Sequence, residues 1–208
     1  MPRPEAVIFD IGNVLVEWQP ERYFDRLIGA AAREAMFRAV DLHAMNDRID
    51  RGGDFAAIVE ETAASHPEHA AAIRHWHRNW IELASPEIAL SAHLARALRR
   101  AGVPIFILSN IGCETFDLAR TRYPVLGEFD RVFLSARIGA LKPEPEIYAH
   151  LEADCGLAPG ALLFTDDRAE NIEAAARRGW QVHHFEAPEG WARALVEAGL
   201  LSEAEARP

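Results

Sequence analysis

The sequence has few cysteines and lacks any long hydrophobic run. Its two cysteines, Cys113 and Cys155, lie far apart and in no metal-ligand spacing, so neither a disulfide framework nor a cysteine-based metal site is predicted. No apolar run approaches the ~18 residues that a membrane-spanning helix needs. The N-terminus "MPRPEAVIFD" carries no secretory signal pattern. We therefore expect a cytoplasmic protein that does not act at a membrane.

Basic side chains are outnumbered, and lysine is almost absent. The 208 residues include 22 basic and 32 acidic side chains, which gives a net charge of -10. A negative net charge of this size repels nucleic acid and anionic membrane surfaces, so neither is expected as a partner. A small-molecule substrate is expected instead, bound by a monomer or a homodimer. If that substrate is an anion, its positive binding groups must be local, which draws attention to the only lysine, Lys142.

Strand and helix patterns alternate along most of the chain. Apolar, β-branched runs predict strands at 6–9, 103–109, 131–135 and 161–165, with a weaker fifth at 180–185. Helical patterns lie at about 86–101, 112–121, 143–155 and 167–179. This alternation predicts an α/β fold with a doubly wound, mostly parallel sheet and helices on both of its faces.

Residues 17–85 break the alternation. They contain no convincing strand and have the pattern of helices at about 20–30, 31–46, 54–65 and 69–83. We therefore predict an inserted helical cap domain at 17–85 over the C-terminal edge of a core domain formed by 1–16 and 86–208. The last segment, "LSEAEARP", is expected to be a frayed helix or a tail.

Polar side chains follow each of the first four predicted strands or begin the next helix. Ligands of open α/β sheets bind outside the carboxyl ends of the strands, so these residues are expected to meet at one edge. Each alone could be a helix cap or a surface charge, but together they place three carboxylates, a hydroxyl and the only lysine at one site. The candidates are Asp10, Ser109, Asn110, Lys142, Asp166 and Asp167.

Three neighbouring carboxylates repel one another unless a cation lies among them. Mg²⁺ favours a few carboxylates together with water and phosphate oxygens. A lysine and a hydroxyl beside that ion would hold an anionic group, for which a phosphoryl group is well suited. A carboxylate at the end of the first strand could attack phosphorus and form an aspartyl-phosphate that water then hydrolyses.

The ordered segments "FDIGNV", "ILSN", "LKPEPEIY" and "FTDDRAEN" resemble the four motifs of the haloacid dehalogenase-like (HAD) hydrolase superfamily, which has a Rossmann-like core. The "FD-x-GNV" opening is similar to a branch that includes a bacterial α-D-glucose-1-phosphate phosphatase. The resemblance implies that Asp10 is the nucleophile and a Mg²⁺ ligand, together with the Gly12 carbonyl and Asp167. It implies that Asp166 holds metal-bound water, that Ser109 and Asn110 bind phosphate, and that Lys142 neutralises both nucleophile and phosphate.

The chain departs from the superfamily's usual pattern at Gly12. Most phosphatases of the superfamily carry a second aspartate there, which protonates the leaving oxygen; general acid–base help of this kind is typically worth ~10²–10⁴-fold. Three hypotheses therefore stay open. The first is a phosphatase whose leaving group needs little protonation, such as an anomeric sugar phosphate, or whose acid comes from the cap, a water or the substrate itself. The others are a metal-free 2-haloacid dehalogenase and a metal-binding pseudoenzyme with a regulatory or partner-binding role. The adjacent pair Asp166–Asp167 favours the phosphatase, because these charges would be costly without a metal.

Four residues of the predicted cap are candidates for contacts with substrate. Trp76 and Trp80 are four residues apart and share a helix face. They are expected either to pack the core of the cap or to shape the substrate pocket. Trp18 and Arg48 are similar candidates.

Overall fold

The computed structural model describes residues 2–208. These residues form seven strands: β1 Ala6–Phe9, β2 Val16–Trp18, β3 Ala84–Glu87, β4 Ile105–Ser109, β5 Arg131–Leu134, β6 Leu162–Asp166 and β7 Gln181–His184. The helices before β3 are α1 Pro20–Ile28, α2 Ala30–Ala39, α3 Leu42–Asp50, α4 Phe55–Ser65, α5 Ala70–Arg78 and α6 Trp80–Leu83. Those after it are α7 Ala89–Arg100, α8 Cys113–Arg122, α9 Ser135–Ile138, α10 Pro145–Cys155, α11 Ala169–Arg177 and α12 Pro188–Glu197.

The main sheet has five parallel strands in the order β5-β4-β1-β6-β7. The chain leaves β1 toward β4 on one side and later crosses to β6 on the other, so β1 lies at the point where the winding reverses. Phe9 is paired with Ile107 on one side and with Thr165 on the other. The predicted doubly wound α/β fold is confirmed, and the ends of β1, β4 and β6 lie side by side.

The sheet is covered on both faces, as its apolar strands require. Val7 and Phe9 point into a large cluster that includes residues of α7 and α12 and of the helices before β3. Ala6 and Ile8 point into a second cluster with residues of α10 and α11. Because alternate residues of β1 enter different clusters and all four are fully buried, only the two ends of the strand can present polar groups.

The segment between β1 and α7 differs in detail from the prediction. Two strands were missed, since β2 and β3 form an antiparallel ribbon at the two ends of the helical insert. The predicted helix 31–46 is wrong as one element, because Asp41 caps a new helix by accepting a hydrogen bond from the Ala44 N–H at 2.9 Å. The predicted helix 69–83 is likewise divided, into α5 and α6, at Asn79.

The C-terminal segment is packed and not frayed, which corrects the prediction for it. Leu201 and Ala206 are buried in the larger apolar cluster. The ring of His93 on α7 lies with its Nε2 atom 2.9 Å from the Glu205 carbonyl oxygen. Among residues 2–208, no helix is both long enough and apolar enough to cross a membrane.

Candidate active site

One cavity lies over the carboxyl ends of β1, β4 and β6. Its volume is about 170 Å³, which is below the ~300–1,000 Å³ of pockets that enclose drug-sized ligands. The sequence candidates that line it are Asp10, Gly12, Ser109, Asn110, Lys142 and Asp167. Asp166 lies directly behind them and is fully buried. The structure therefore brings all the predicted site residues of the core to one place.

Lys142 bridges two carboxylates. Its Nζ atom lies 2.8 Å from Oδ1 of Asp10 and 2.5 Å from Oδ2 of Asp166, and the lysine is only 3% exposed. Burial alone would lower the pKa of Lys142, but the two carboxylates outweigh it and raise that pKa. The lysine is therefore held as a cation beside Asp10.

Asp166 has almost no free hydrogen-bonding capacity. Besides Lys142, its carboxylate accepts hydrogen bonds from the Arg168 N–H at 2.8 Å and from Nδ2 of Asn171 at 2.9 and 3.0 Å. A carboxylate has about four lone-pair positions. Asp166 is thus arranged to orient Lys142 and to add negative charge, whereas a direct contact with a ligand would require it to give up a partner.

Asp167 is oriented by a residue that the sequence analysis did not single out. Nδ2 of Asn13 donates to Oδ2 of Asp167 at 2.8 Å, and Oδ1 of Asn13 accepts from the Trp18 N–H at 2.9 Å. Asn13 has a φ of 54°, the left-handed region that asparagine tolerates better than most residues. The turn after β1 therefore connects Asp167 to the start of the β2–β3 ribbon.

Burial and like charge raise the pKa of Asp10. Desolvation is the largest cause; Lys142 opposes it, while Asp166 and Asp167 add to it, and the resulting pKa is about 6. The pKa of Asp167 is also raised, chiefly by burial, against the hydrogen bond from Asn13. One lysine does not compensate for three carboxylates.

The three aspartates meet the requirements of a divalent cation site. Asp10, Asp166 and Asp167 each offer a carboxylate oxygen within 4.8 Å of the others. Oδ1 of Asp10 is buried and accepts no directed hydrogen bond, although Lys142 Nζ lies near it. Oxygen ligands of this kind suit Mg²⁺, which keeps part of its water shell. A divalent ion would also supply the positive charge that the site lacks.

Ser109 and Asn110 form the wall of the cavity at the end of β4. Ser109 is the last residue of the strand and is buried. The Asn110 side chain pairs with the Lys142 backbone, accepting from its N–H at 2.7 Å and donating to its carbonyl oxygen at 2.9 Å. An amide nitrogen carries two hydrogens, so Asn110 positions Lys142 and keeps one donor for a ligand.

Tryptophans of the insert and its ribbon form the opposite wall. Trp18 lies 5.8 Å from Trp76 and 5.9 Å from Trp80 between ring centroids, and all three line the cavity. Trp76 and Trp80 are buried as well, so they pack within the insert and also line the cavity. Arg48 is exposed, pairs with Glu61 at 2.6 Å and is not among the lining residues.

Asp50, at the end of α3, adds a buried carboxyl group to the same wall. Its Oδ2 accepts a hydrogen bond from Nδ2 of Asn46 at 2.7 Å. Burial, followed by the negative charge of Asp47, raises its pKa to about 7; the Gly112 N–H lowers it and the charge of Asp10 raises it. This group is therefore electrostatically coupled to the end of β1.

Comparison with known proteins agrees with this geometry. Residues 4–179 match the haloacid dehalogenase-like hydrolase family. The chain belongs to this family. Its members are hydrolases, so this HAD-like hydrolase is an enzyme by its family as well as by its arrangement of charged side chains.

Relatives of this HAD-like hydrolase include both phosphatases and dehalogenases. A sesquiterpene phosphatase of Aspergillus oryzae is 26% identical over 84% of this chain and 86% of its own length. A HAD family enzyme of Bacteroides thetaiotaomicron, solved with magnesium and inorganic phosphate, has a TM-score of 0.73 at 20% identity, with 92% and 98% of the two chains covered. An L-2-haloacid dehalogenase of Xanthobacter autotrophicus has a TM-score of 0.63 at 21% identity, with 95% and 84% covered.

Sequence analysis of the HAD-like hydrolase missed Asn13, Asp50 and Asn171. Asn13 could have been found, because it stands in a turn directly after the candidate nucleophile and asparagine favours such turns. Asn171 follows Asp166 by five residues, near the start of α11, and nothing in the local sequence indicates that it contacts Asp166. In the sequence, Asp50 is a charged residue just before a Gly-Gly turn, and nothing nearby indicates that it is buried.

Proposed function

We propose that this HAD-like hydrolase is a Mg²⁺-dependent phosphatase that hydrolyses a small phosphate monoester through an aspartyl-phosphate. The observation that carries the proposal is the charge arrangement at the strand ends. Three carboxylates with oxygens within 4.8 Å of one another share a single lysine. Without a further cation these carboxylates repel one another and raise one another's pKa values. A cation that relieves this repulsion, beside a lysine and a hydroxyl group, attracts a phosphoryl group.

In this proposal Asp10 is the nucleophile. Its carboxylate stands at the end of β1, faces the cavity and is held beside the Lys142 ammonium. Attack on phosphorus forms a bond between a carboxylate oxygen of Asp10 and phosphorus and breaks the ester bond to the leaving oxygen. Water later cleaves the aspartyl-phosphate and regenerates the carboxylate.

The phosphoryl group would be held by side chains at the ends of neighbouring strands. Ser109 and the free hydrogen of the Asn110 amide can donate to its oxygens, and Lys142 balances the charge that it shares with Asp10. Donors fixed in advance, where charge develops, stabilise a transition state without reorganisation.

Mg²⁺ would be held by Asp10, Asp167 and the Gly12 carbonyl, with Asp166 acting through water. The ion would supply positive charge to the phosphate oxygens and to the nucleophile. Asn13 keeps Asp167 in place for this role through the hydrogen bond at 2.8 Å.

The carboxylate cluster also separates this proposal from a metal-free dehalogenase. A carboxylate nucleophile beside the buried Asp166 and the half-buried Asp167 is electrostatically costly unless a cation is present. Relatives in sequence and in structure support a phosphatase, since a sesquiterpene phosphatase aligns over most of the chain and a fold neighbour was solved with magnesium and phosphate. The dehalogenase neighbour shares the fold and makes halide release a necessary control.

We further propose that residues 17–85 act as a cap that closes over the substrate. Trp18, Trp76, Trp80 and Asp50 lie on this side of the cavity and would contact the part of the substrate that leaves. A closed cap excludes water from the aspartyl-phosphate until the leaving group departs. The cavity volume of about 170 Å³ suits a small leaving group.

The first test measures hydrolysis of p-nitrophenyl phosphate and of glucose-1-phosphate with Mg²⁺ and with EDTA, using Asp10→Asn as the blank. The proposal predicts turnover that requires Mg²⁺ and that is lost in the blank. Absence of turnover with both esters, together with chloride release from 2-chloropropionate, would replace the phosphatase by a dehalogenase. Absence of all three activities would favour a pseudoenzyme.

A further inference from the structure

Hydrolysis of an unactivated ester requires a proton for the leaving oxygen, and the turn after β1 offers none. The residue two positions after Asp10 is Gly12, which has no side chain. A donor supplied by the protein must therefore come from another wall of the cavity. The titratable side chains that line it are Asp10, His43, Asp47, Asp50, Lys142, Asp167 and Arg168.

Most of these groups are unsuited to proton donation. Asp10 is the nucleophile in the proposed function, and Lys142 is held as a cation between two carboxylates. Asp167 lies with them on the core side of the cavity and accepts the hydrogen bond from Asn13. Arg168 is paired with Glu170 at 2.5 Å, and a guanidinium group does not release its proton in proteins.

The remaining three groups lie on α3, and only one of them is buried. His43 and Asp47 are exposed, whereas Asp50 is 6% exposed. A buried carboxyl group keeps its proton at higher pH than an exposed one. In agreement, burial is the largest of the causes that raise the pKa of Asp50 to about 7, close to the value that suits an acid at neutral pH.

Asp50 is also fixed in place. Its carboxyl group is held by Nδ2 of Asn46, whose Oδ1 in turn accepts from Nε1 of Trp76 at 3.2 Å. Its backbone carbonyl oxygen accepts a hydrogen bond from Oγ of Ser135 at 2.6 Å. The same Ser135 hydroxyl oxygen accepts a hydrogen bond from the Ile111 N–H at 2.9 Å. Ile111 belongs to the segment directly after Ser109 and Asn110, so Ser135 connects Asp50 to that segment.

Close backbone packing holds the end of α3 against the core. A Cβ atom built on Gly112 would lie 3.1 Å from the Ile49 side chain, and one built on Gly52 would lie 2.7 Å from the Ala136 carbonyl oxygen. Arg51 adds an ion pair with Glu144 of the core. The residues on both sides of Asp50 therefore pack against the loop after β4, beside the proposed phosphate site, and against helix α9.

We propose that Asp50 is the general acid of this enzyme and takes the place of the side chain that Gly12 lacks; the inference rests on the proposed phosphatase function. As Asp10 attacks phosphorus, the bond between phosphorus and the leaving oxygen breaks, and the Asp50 proton passes to that oxygen. In the second step the Asp50 carboxylate accepts a proton from water as the water oxygen bonds to phosphorus. The bond between phosphorus and Asp10 then breaks, which releases phosphate and regenerates Asp10.

The test compares Asp50→Asn with the wild-type enzyme on a series of phenyl phosphates whose leaving groups run from phenol to 2,4-dinitrophenol. Phenolate needs a proton as it leaves, whereas dinitrophenolate does not. Asp50→Asn should lower kcat/KM for phenyl phosphate by ~10²-fold or more and leave most of the activity toward the dinitrophenyl ester. kcat/KM is the correct readout because it includes only the steps up to transfer of the phosphoryl group to Asp10. The later hydrolysis of the aspartyl-phosphate does not contribute to it.

Asp47→Asn is the matched control, since it removes a carboxyl group from the same helix one turn away. Its effect on the ratio of kcat/KM for the two esters should be much smaller than that of Asp50→Asn, because it removes only one of the charges that raise the pKa of Asp50 and leaves the carboxyl group in place. The inference is overturned if Asp50→Asn slows both esters alike, or if the dependence on the leaving group follows Asp47. Failure of the wild-type enzyme to hydrolyse any ester with Mg²⁺ would instead refute the phosphatase itself. Retained turnover of the dinitrophenyl ester by Asp50→Asn also demonstrates that the variant is folded.

Discussion

Replacing Lys142 by methionine should destabilise the protein strongly, even before any effect on activity. Nζ of Lys142 lies 2.8 Å from a carboxylate oxygen of Asp10 and 2.5 Å from one of Asp166, and all three side chains are buried. Methionine keeps a similar length and an apolar stem, so the change removes mainly the charge. Removing one partner of a buried ion pair costs about 3–5 kcal/mol.

That free energy corresponds to a large change in thermal stability. A chain of this length loses about 2–4 °C of Tm for each kcal/mol, so Lys142→Met should lower Tm by roughly 6–20 °C. The measurement is thermal and urea unfolding in EDTA, followed by circular dichroism. EDTA is required because a bound divalent ion would compensate for part of the missing charge.

Arg48→Met is the matched control for this experiment. Arg48 pairs with Glu61 at 2.6 Å, but both side chains are at least half exposed. An exposed pair is worth about 0–1 kcal/mol and weakens with salt. The loss at Lys142 should persist in ~1 M NaCl, because buried charges are screened much less. A Lys142→Met protein within ~1 kcal/mol of the wild type would refute the reasoning that this lysine compensates buried carboxylates.

Three further predictions concern the metal, Asp50 and the contact between insert and core. In thermal unfolding, Mg²⁺ at about 100 times its Kd should stabilise the wild-type protein by ~2.7 kcal/mol. An equal gain in stability for Asp167→Asn at the same Mg²⁺ concentration would contradict the proposed ligand set. The pKa of Asp50 is about 7 in the folded protein, against an ordinary value of 3.8. The contribution of Asp50 to the free energy of unfolding is therefore fully present at low pH, where the carboxyl group is protonated, and is lost as pH rises through 7. Asp50→Asn should therefore gain stability relative to wild type, on the order of 2 kcal/mol, between pH 5 and pH 8; a difference that does not change with pH would exclude the raised pKa. Gly52→Ala should be more destabilising than Gly139→Ala in urea unfolding, because both have positive φ but only at Gly52 would the Cβ atom lie 2.7 Å from the Ala136 carbonyl oxygen; equal losses would show that backbone strain alone matters.

The core of the fold and most of the site could be predicted from local sequence. β1, β4 and β6 each begin with a run of at least three apolar residues, and a polar residue ends the strand or follows it directly. Parallel strands bring such ends to one edge of the sheet whatever the details of the connections. That is why Asp10, Ser109 and Asp166 were expected together although they are far apart in the chain.

The insert was harder to predict because its structure depends on distant contacts. Strand β3 has the sequence "ASPE", which includes a proline and has little strand preference. It forms because it pairs with β2, nearly 70 residues earlier in the sequence. The break between α2 and α3 could have been predicted, since aspartate is a common helix N-cap and Asp41 stands there. The helical pattern on both sides of Asp41 obscured it.

The position of the proton donor has a consequence for how the two parts of this enzyme cooperate. Gly12 has no positive φ, and a Cβ atom there would meet only Cβ of Trp18, at an ordinary 3.8 Å. Neither backbone strain nor crowding therefore explains the missing side chain. With Asp50 as the acid, nucleophile and proton donor stand on different elements, the end of β1 and the end of α3. Proton transfer then requires the end of α3 to be seated against the loop at Gly112, so leaving-group departure depends on the packing between these two elements. An acid beside Asp10 on the same turn would impose no such restriction.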